Sequence, residues 1–142
     1  MKLTNIVLAL LIIGLIYSCK EEKKSDTVSQ MKQVMNIHDE VMPKMGAMAK
    51  LAGELSSKED STEIGMQYKA ARRDLQAARD SMMQWMQGFG NKFDSDEIMN
   101  GKKLSDQKQI WLNEEEDRMK AVRDQINLSI QNAESLLSDK NN

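Results

Sequence analysis

Cysteine, histidine and proline each occur once in 142 residues, aromatic side chains make up 4%, and glycine is found only seven times. A single cysteine excludes an internal disulfide and any cysteine-built metal site. Scarce proline and glycine, with no β-branched runs, exclude the turn-rich pattern of a β-sandwich and favour long helices. Basic charge is not in excess either. Lysine and arginine number 20 against 22 acidic residues, a net charge of −2 with no long basic run, so the footprint of a nucleic-acid binder is missing. No glycine-rich phosphate loop and no nucleophile–base pair can be picked out, and an enzyme is not expected.

What is present begins at the N-terminus. Lys2 supplies a positive start, Ile6 to Ile16 form an apolar run of eleven, and Leu15-Ile16-Tyr17-Ser18-Cys19 follows with a small residue before the cysteine. This is the order of a secretory signal peptide over residues 1–18. The run is too short for a membrane span, which needs about 20 apolar residues. The end of the segment resembles the lipobox of bacterial lipoproteins. That resemblance implies diacylation of the Cys19 thiol, cleavage before it and acylation of the new amino group. Lys20-Glu21-Glu22-Lys23-Lys24 argues against a buried continuation. Acyl chains anchor at about 0.8 kcal/mol per buried methylene. Cys19-Lys20-Glu21-Glu22 lacks the aspartate of an inner-membrane retention signal and resembles the surface-export signal of Bacteroidota lipoproteins. The expected location is therefore the cell envelope, lipid-anchored at the outer membrane and surface-exposed.

Without residues 1–18 the chain has 124 residues, one domain's worth, with 19 basic and 22 acidic side chains and a net charge of −3. Residues 19–27 are read as a lipidated cysteine and a disordered charged tether, and residues 28–142 as the folded domain. A 3.5-residue repeat in the first helix, about 28–55, turns Val28, Met31, Met35, His38, Met42, Met45, Ala49 and Ala52 inward. Val34, Val41, Met48 and Leu51 flank that stripe, and Pro43 is expected to kink the helix. Asp60 and Glu63 have capping-box spacing. A second helix, about 61–88, carries Ile64, Tyr68, Ala71, Leu75, Ala78, Met82, Trp85 and Phe89, with Gly88 and Gly90 as stop signals. Residues 90–104 read as a loop and Ser105 as the next N-cap. A third helix, about 105–137, places Leu112, Glu115, Met119, Val122, Ile126, Ser129, Ala133 and Leu136 on one face. Three amphipathic helices of matched length predict an all-α fold, an up-down-up antiparallel three-helix bundle with coiled-coil-like packing. The alternative is a helical hairpin that dimerises, so the chain is expected to be a monomer or homodimer.

Methionine, by contrast, is plentiful, with twelve in the chain. Folding the first two helices about the turn brings residue i level with 117 − i, so Met31 and Met35 approach Met86 and Met82, with His38 and Trp85 close by. Thioether and imidazole are soft ligands suited to Cu(I) or Ag(I). The competing reading is that methionine is a good helix former and a flexible core filler, and these positions lie on the inward stripe. His38 is expected to face Ala78 or Arg79 and, with Glu115, to form a polar layer that fixes helix register. A catalytic dyad of the two is the sharper alternative. Asp94, Asp96 and Glu97 lack the further ligands and turn glycine of a calcium loop. Asp26-Thr27-Val28 and Asp60-Ser61-Thr62 look like O-glycosylation signals of Bacteroidota, placed on the tether and in a turn.

The strings Ile37-His38-Asp39-Glu40-Val41-Met42-Pro43-Lys44-Met45, Ser81-Met82-Met83-Gln84-Trp85-Met86 and Trp111-Leu112-Asn113-Glu114-Glu115-Glu116 resemble a group of small Bacteroidota lipoproteins. Some of these carry the label "viral A-type inclusion protein", which reflects coiled-coil likeness and implies no viral function. The resemblance covers nearly all of the chain after the signal segment and implies no activity or functional residue. The expectation is a non-enzymatic envelope lipoprotein serving as a helical spacer or protein-interaction module. It would carry no cofactor besides the lipid on Cys19 and would contact the membrane through that anchor and an envelope protein partner. A Cu(I)/Ag(I)-binding envelope protein using Met31, Met35, His38, Met82 and Met86 is the alternative.

Overall fold

The computed structural model describes the backbone of residues 19–138 and the side chains of residues 26–138. The signal segment 1–18 and the Cys19 thiol lie outside the described residues. Every regular element among those described is an α-helix: α1 (Cys19–Val41), α2 (Lys44–Ser56), α3 (Glu63–Lys92), the short α4 (Ser95–Met99) and α5 (Asp106–Ser138). The all-α class follows from the composition, but the element boundaries differ in several instructive ways.

Among the described residues α1 already runs from Cys19, nine residues before the expected Val28, so the charged stretch is helical rather than a disordered tether. Lysine and glutamate are strong helix formers, and here they extend the helix that the core already fixes. Pro43 does more than kink its helix. Residues 42 and 43 form a turn between α1 and α2, because the proline ring removes one donor and cannot sit against the preceding turn. The Met42 N–H still reaches the His38 carbonyl at 3.0 Å, so helical geometry persists to Met42.

The inward face of this arm is rotated from the expected one. Val34, Val41, Met48 and Leu55 are almost fully enclosed, seven residues apart, joined by Met31 and Ile37. Met35, His38 and Met45 are only half-buried, and Met42 and Ala49 are exposed. Two adjacent stripes were available, and the β-branched valines took the centre while the unbranched methionines were left at its edge.

Helix α3 begins behind Thr62, whose hydroxyl accepts from the Gly65 N–H at 3.0 Å. Thr62 is therefore the cap expected of Asp60. The Asp60 carboxylate instead accepts from the Thr62 N–H at 2.9 Å and braces the turn. The side-chain stripe is the expected one, with Tyr68, Ala71, Leu75, Ala78, Met82, Trp85 and Phe89 buried. Gly88 and Gly90 do not stop the helix, which runs on to Lys92. Trp85, Phe89 and Phe93 stack along it with ring centroids 4.7 and 4.8 Å apart. That packing offsets the roughly 1 kcal/mol each glycine costs in a helix.

Residues 94–99 are not a plain loop. Asp94 and Glu97 form a reciprocal capping box that starts α4. Gly101 then takes a left-handed φ of 66°, which a side chain would strain. Ser105 caps α5 as expected, accepting from the Lys108 N–H at 3.2 Å. The buried face of α5 runs Leu112, Glu115, Met119, Val122, Ile126, Ser129, Ala133, as the repeat predicts.

Cross-helix pairs tie the long segments together. Thr27 meets Gln109, Gln30 meets Asn113 and Lys44 meets Asn127. Trp85 and Lys92 both meet Glu115, and Lys92 lies over Trp111. Side chains from α1, α2, α3 and α5 share one apolar core.

Candidate functional site

The polar and aromatic side chains of the core converge around Trp85. Its indole is 6% exposed, and its Nε1–H donates to the backbone carbonyl of Glu115 at 3.3 Å. The His38 ring lies against it, with centroids 5.7 Å apart and planes 30° apart. The expected closeness of His38 and Trp85 is thus seen in the structure.

Glu115 is fully enclosed, as its core position requires, but its partner is not His38. Lys92 Nζ donates to Glu115 Oε1 at 2.6 Å, and Arg118 approaches the same oxygen at 3.4 Å. Glu115 Oε2 has no hydrogen-bond partner. Lys92 also sits 6.0 Å from the centroid of Trp111, so its cation is shared between a carboxylate and an aromatic face. Among the described residues no hydrogen bond joins His38 to Glu115: the imidazole meets the Trp85 ring, the Glu115 carbonyl accepts from the indole N–H, and the Glu115 carboxylate pairs with Lys92. Sequence reasoning missed Lys92 because Gly88 and Gly90 read as the helix end. Continued through them, helical spacing places Lys92 two turns beyond Trp85, where it reaches the buried acid.

His38 has its own acid. Its Nδ1 lies 2.9 Å from Asp39 Oδ1. A carboxylate only accepts, so Nδ1 is the donor in this contact. The methionines named with it divide into two groups. Met31 and Met82 are enclosed in the core, 3% and 0% exposed, and fill space. Met35 and Met86 are partly buried and pack against its edge.

The remaining candidates have structural tasks. Asp94 caps α4 and pairs with Lys102 at 2.8 Å, and Glu97 takes Lys108 at 2.6 Å. Lys102, and then the Glu97 N–H, hold the Asp94 carboxyl below the usual aspartate range. Among the described residues no group of three or more His, Cys, Asp or Glu is placed to hold a metal ion. Thr27 lies in α1, half-buried, with its hydroxyl 2.6 Å from Gln109 Oε1, which is not the open tether expected of a glycosylation site. Ser61 is exposed in its turn, as expected. On the outer side, Asp74 and Ala77 of α3 and Gln125, Leu128, Ser129 and Asn132 of α5 line a groove, with Leu128 largely exposed. Among the described residues no helix is long and apolar enough to cross a membrane. The chain matches no protein-family model, no curated protein and no solved structure.

Proposed function

We propose that this chain is a lipid-anchored envelope lipoprotein whose helical domain acts as a non-enzymatic spacer and protein-interaction module. One observation carries the reading. Helix α1 is continuous from Cys19 into the core that begins at Met31, so the residue that would bear the lipid is joined to the folded body by helix rather than by loose chain. Among the described side chains, Thr27 makes a cross-helix bond. The eight helical residues from Cys19 to Asp26 rise about 12 Å at 1.5 Å per residue. Anchoring at Cys19 would hold the body off the bilayer at a defined distance.

The body reads as an up-down-up bundle of three long segments, the first broken at Pro43. The two sets of cross-helix pairs, advancing together for α1 with α5 and in opposition for α3 with α5, support that reading. The likeness of residues 37–45, 81–86 and 111–116 to small Bacteroidota lipoproteins points the same way, as does the signal-like order of residues 1–18. The groove beside Leu128 is the surface on which a protein partner would be met.

A photo-crosslinking side chain at Leu128, in intact cells, tests the module. A discrete adduct that depends on both illumination and position is expected. Recovery no greater than from a crosslinker at exposed Lys58, in the turn after α2, contradicts it.

A further inference from the structure

We propose that Met35, His38 and Met42 form a binding site for a soft monovalent cation, Cu(I) or Ag(I), at the edge of the α1–α3 contact. This goes beyond the anchoring role and does not depend on it.

Core filling accounts for the enclosed methionines, whereas Met35 packs only against the edge of the core and Met42 is not among its members. Val34, Val41, Met48 and Leu55 occupy the centre of the core, and Met31, Met82 and Met119 complete it. Met35 and His38 are displaced to its border, and Met42 is 36% exposed. The thioethers are three residues before and four residues after the imidazole. That spacing puts all three on one helix face with neighbouring Cβ atoms about 5–6 Å apart. The Met42 N–H bond to the His38 carbonyl keeps the spacing helical up to the Pro43 break. Methionine's unbranched, flexible side chain lets both sulfurs turn towards a common point.

The imidazole is prepared as a ligand. The Asp39 carboxylate lies 2.9 Å from Nδ1 and can accept from it, the arrangement that orients metal-binding histidines. Nε2 has no hydrogen-bond partner among the described residues. The His38 side chain keeps 16% of its surface open. Trp85 fixes the ring from the protein side, itself held by Glu115. Asp39, in contact with the ring and 70% exposed, is an acid that favours a cation there. The donor set selects the ion. Two thioethers are soft and imidazole also binds copper, a set suited to Cu(I) and Ag(I) and poor for calcium or magnesium, which take oxygen ligands.

The test uses the full chain in detergent, carrying Cys19→Ser so that no thiol competes. Silver nitrate is added in chloride-free buffer while the methionine methyl and histidine ring resonances are followed. One equivalent is expected to shift Met35, Met42 and His38 together and to leave Met48, Met82 and Met119 in place. A Met35→Leu/Met42→Leu variant, with its fold checked by thermal melting, is expected to weaken Ag(I) binding at least tenfold. It is expected to do the same for Cu(I) measured anaerobically against a chromogenic chelator. Shifts spread equally over the exposed Met66, Met83 and Met99, or a folded variant of unchanged affinity, overturn the proposal. If the variant does not fold, the resonance map of the parent chain decides alone.

Discussion

Glu115 shows what a single ionisable residue does to this core. Its carboxylate is enclosed, one oxygen is held by Lys92 and the other by no hydrogen bond. A buried acid of this kind is tolerated because its counter-charge is close, and its net contribution to stability is small. Removing only the partner is a different matter. Lys92→Met leaves the enclosed carboxylate with only Arg118, which is 3.4 Å from the same oxygen and largely exposed. A loss of about 3 kcal/mol is expected, at the low end for buried pairs because Lys92 is partly open to water. The double variant Lys92→Met/Glu115→Leu is expected to recover most of that loss. Urea unfolding of the parent, the single and the double variant checks this. A double variant as unstable as the single one would show that the pair is not the relevant interaction.

At the scale of elements, the turn between α2 and α3 rests on close backbone approach. A Cβ on Gly65 would lie 2.6 Å from the Asp60 backbone nitrogen, closer than carbon tolerates. Gly65→Ala is therefore expected to destabilise the chain, against the usual gain of about 1 kcal/mol from replacing glycine by alanine in a helix. A thermal melt decides the sign, and a raised melting temperature would contradict the turn geometry. Much of this level is legible in the sequence. The stripes of α3 and α5 follow directly from the repeat, since Tyr68 to Phe89 and Leu112 to Ala133 each offer one apolar face. The first arm offers two adjacent faces, one led by Val34 and Val41 and the other by Met35 and Met42. Periodicity alone cannot rank them, because the choice depends on how valine and methionine pack against α3 and α5. The ends of α3 escape the pattern for similar reasons. Thr62 displaces Asp60 as cap through one local hydrogen bond, and aromatic stacking carries the helix through Gly88 and Gly90. That unexpected last turn holds Lys92, and with it the true partner of Glu115.

For the whole molecule, the ionised carboxylates point one way. Lys120, and then Gln30, hydrogen-bond to Glu116 and hold its carboxyl below the usual range. Arg72 does the same for Glu59, bracing the turn onto α3, and Lys102 for Asp94. A carboxyl whose folded-state pKa is depressed contributes stability that is full above its unfolded value and disappears as pH falls through the folded one. All three act in this sense, so the melting temperature is expected to drop on acidification through and below the ordinary carboxylate range. The pairs are partly solvated, and the effect is modest and weaker at high salt. A Glu59→Gln/Asp94→Asn/Glu116→Gln variant is expected to give a flatter profile. A melting temperature that rises on acidification would contradict these assignments.

Everything proposed for the chain as a whole turns on Cys19 as the point where it meets the membrane, with α1 running on from there to carry the body. Intact-mass measurement of the chain extracted from membranes of a lipoprotein-processing bacterium bears on this without intermediary. The expected mass is that of residues 19–142 plus a diacylglyceryl thioether and an amide-linked acyl group on Cys19. The mass of an uncleaved, unlipidated chain, or of one cleaved elsewhere with its thiol free, would rule the anchor out.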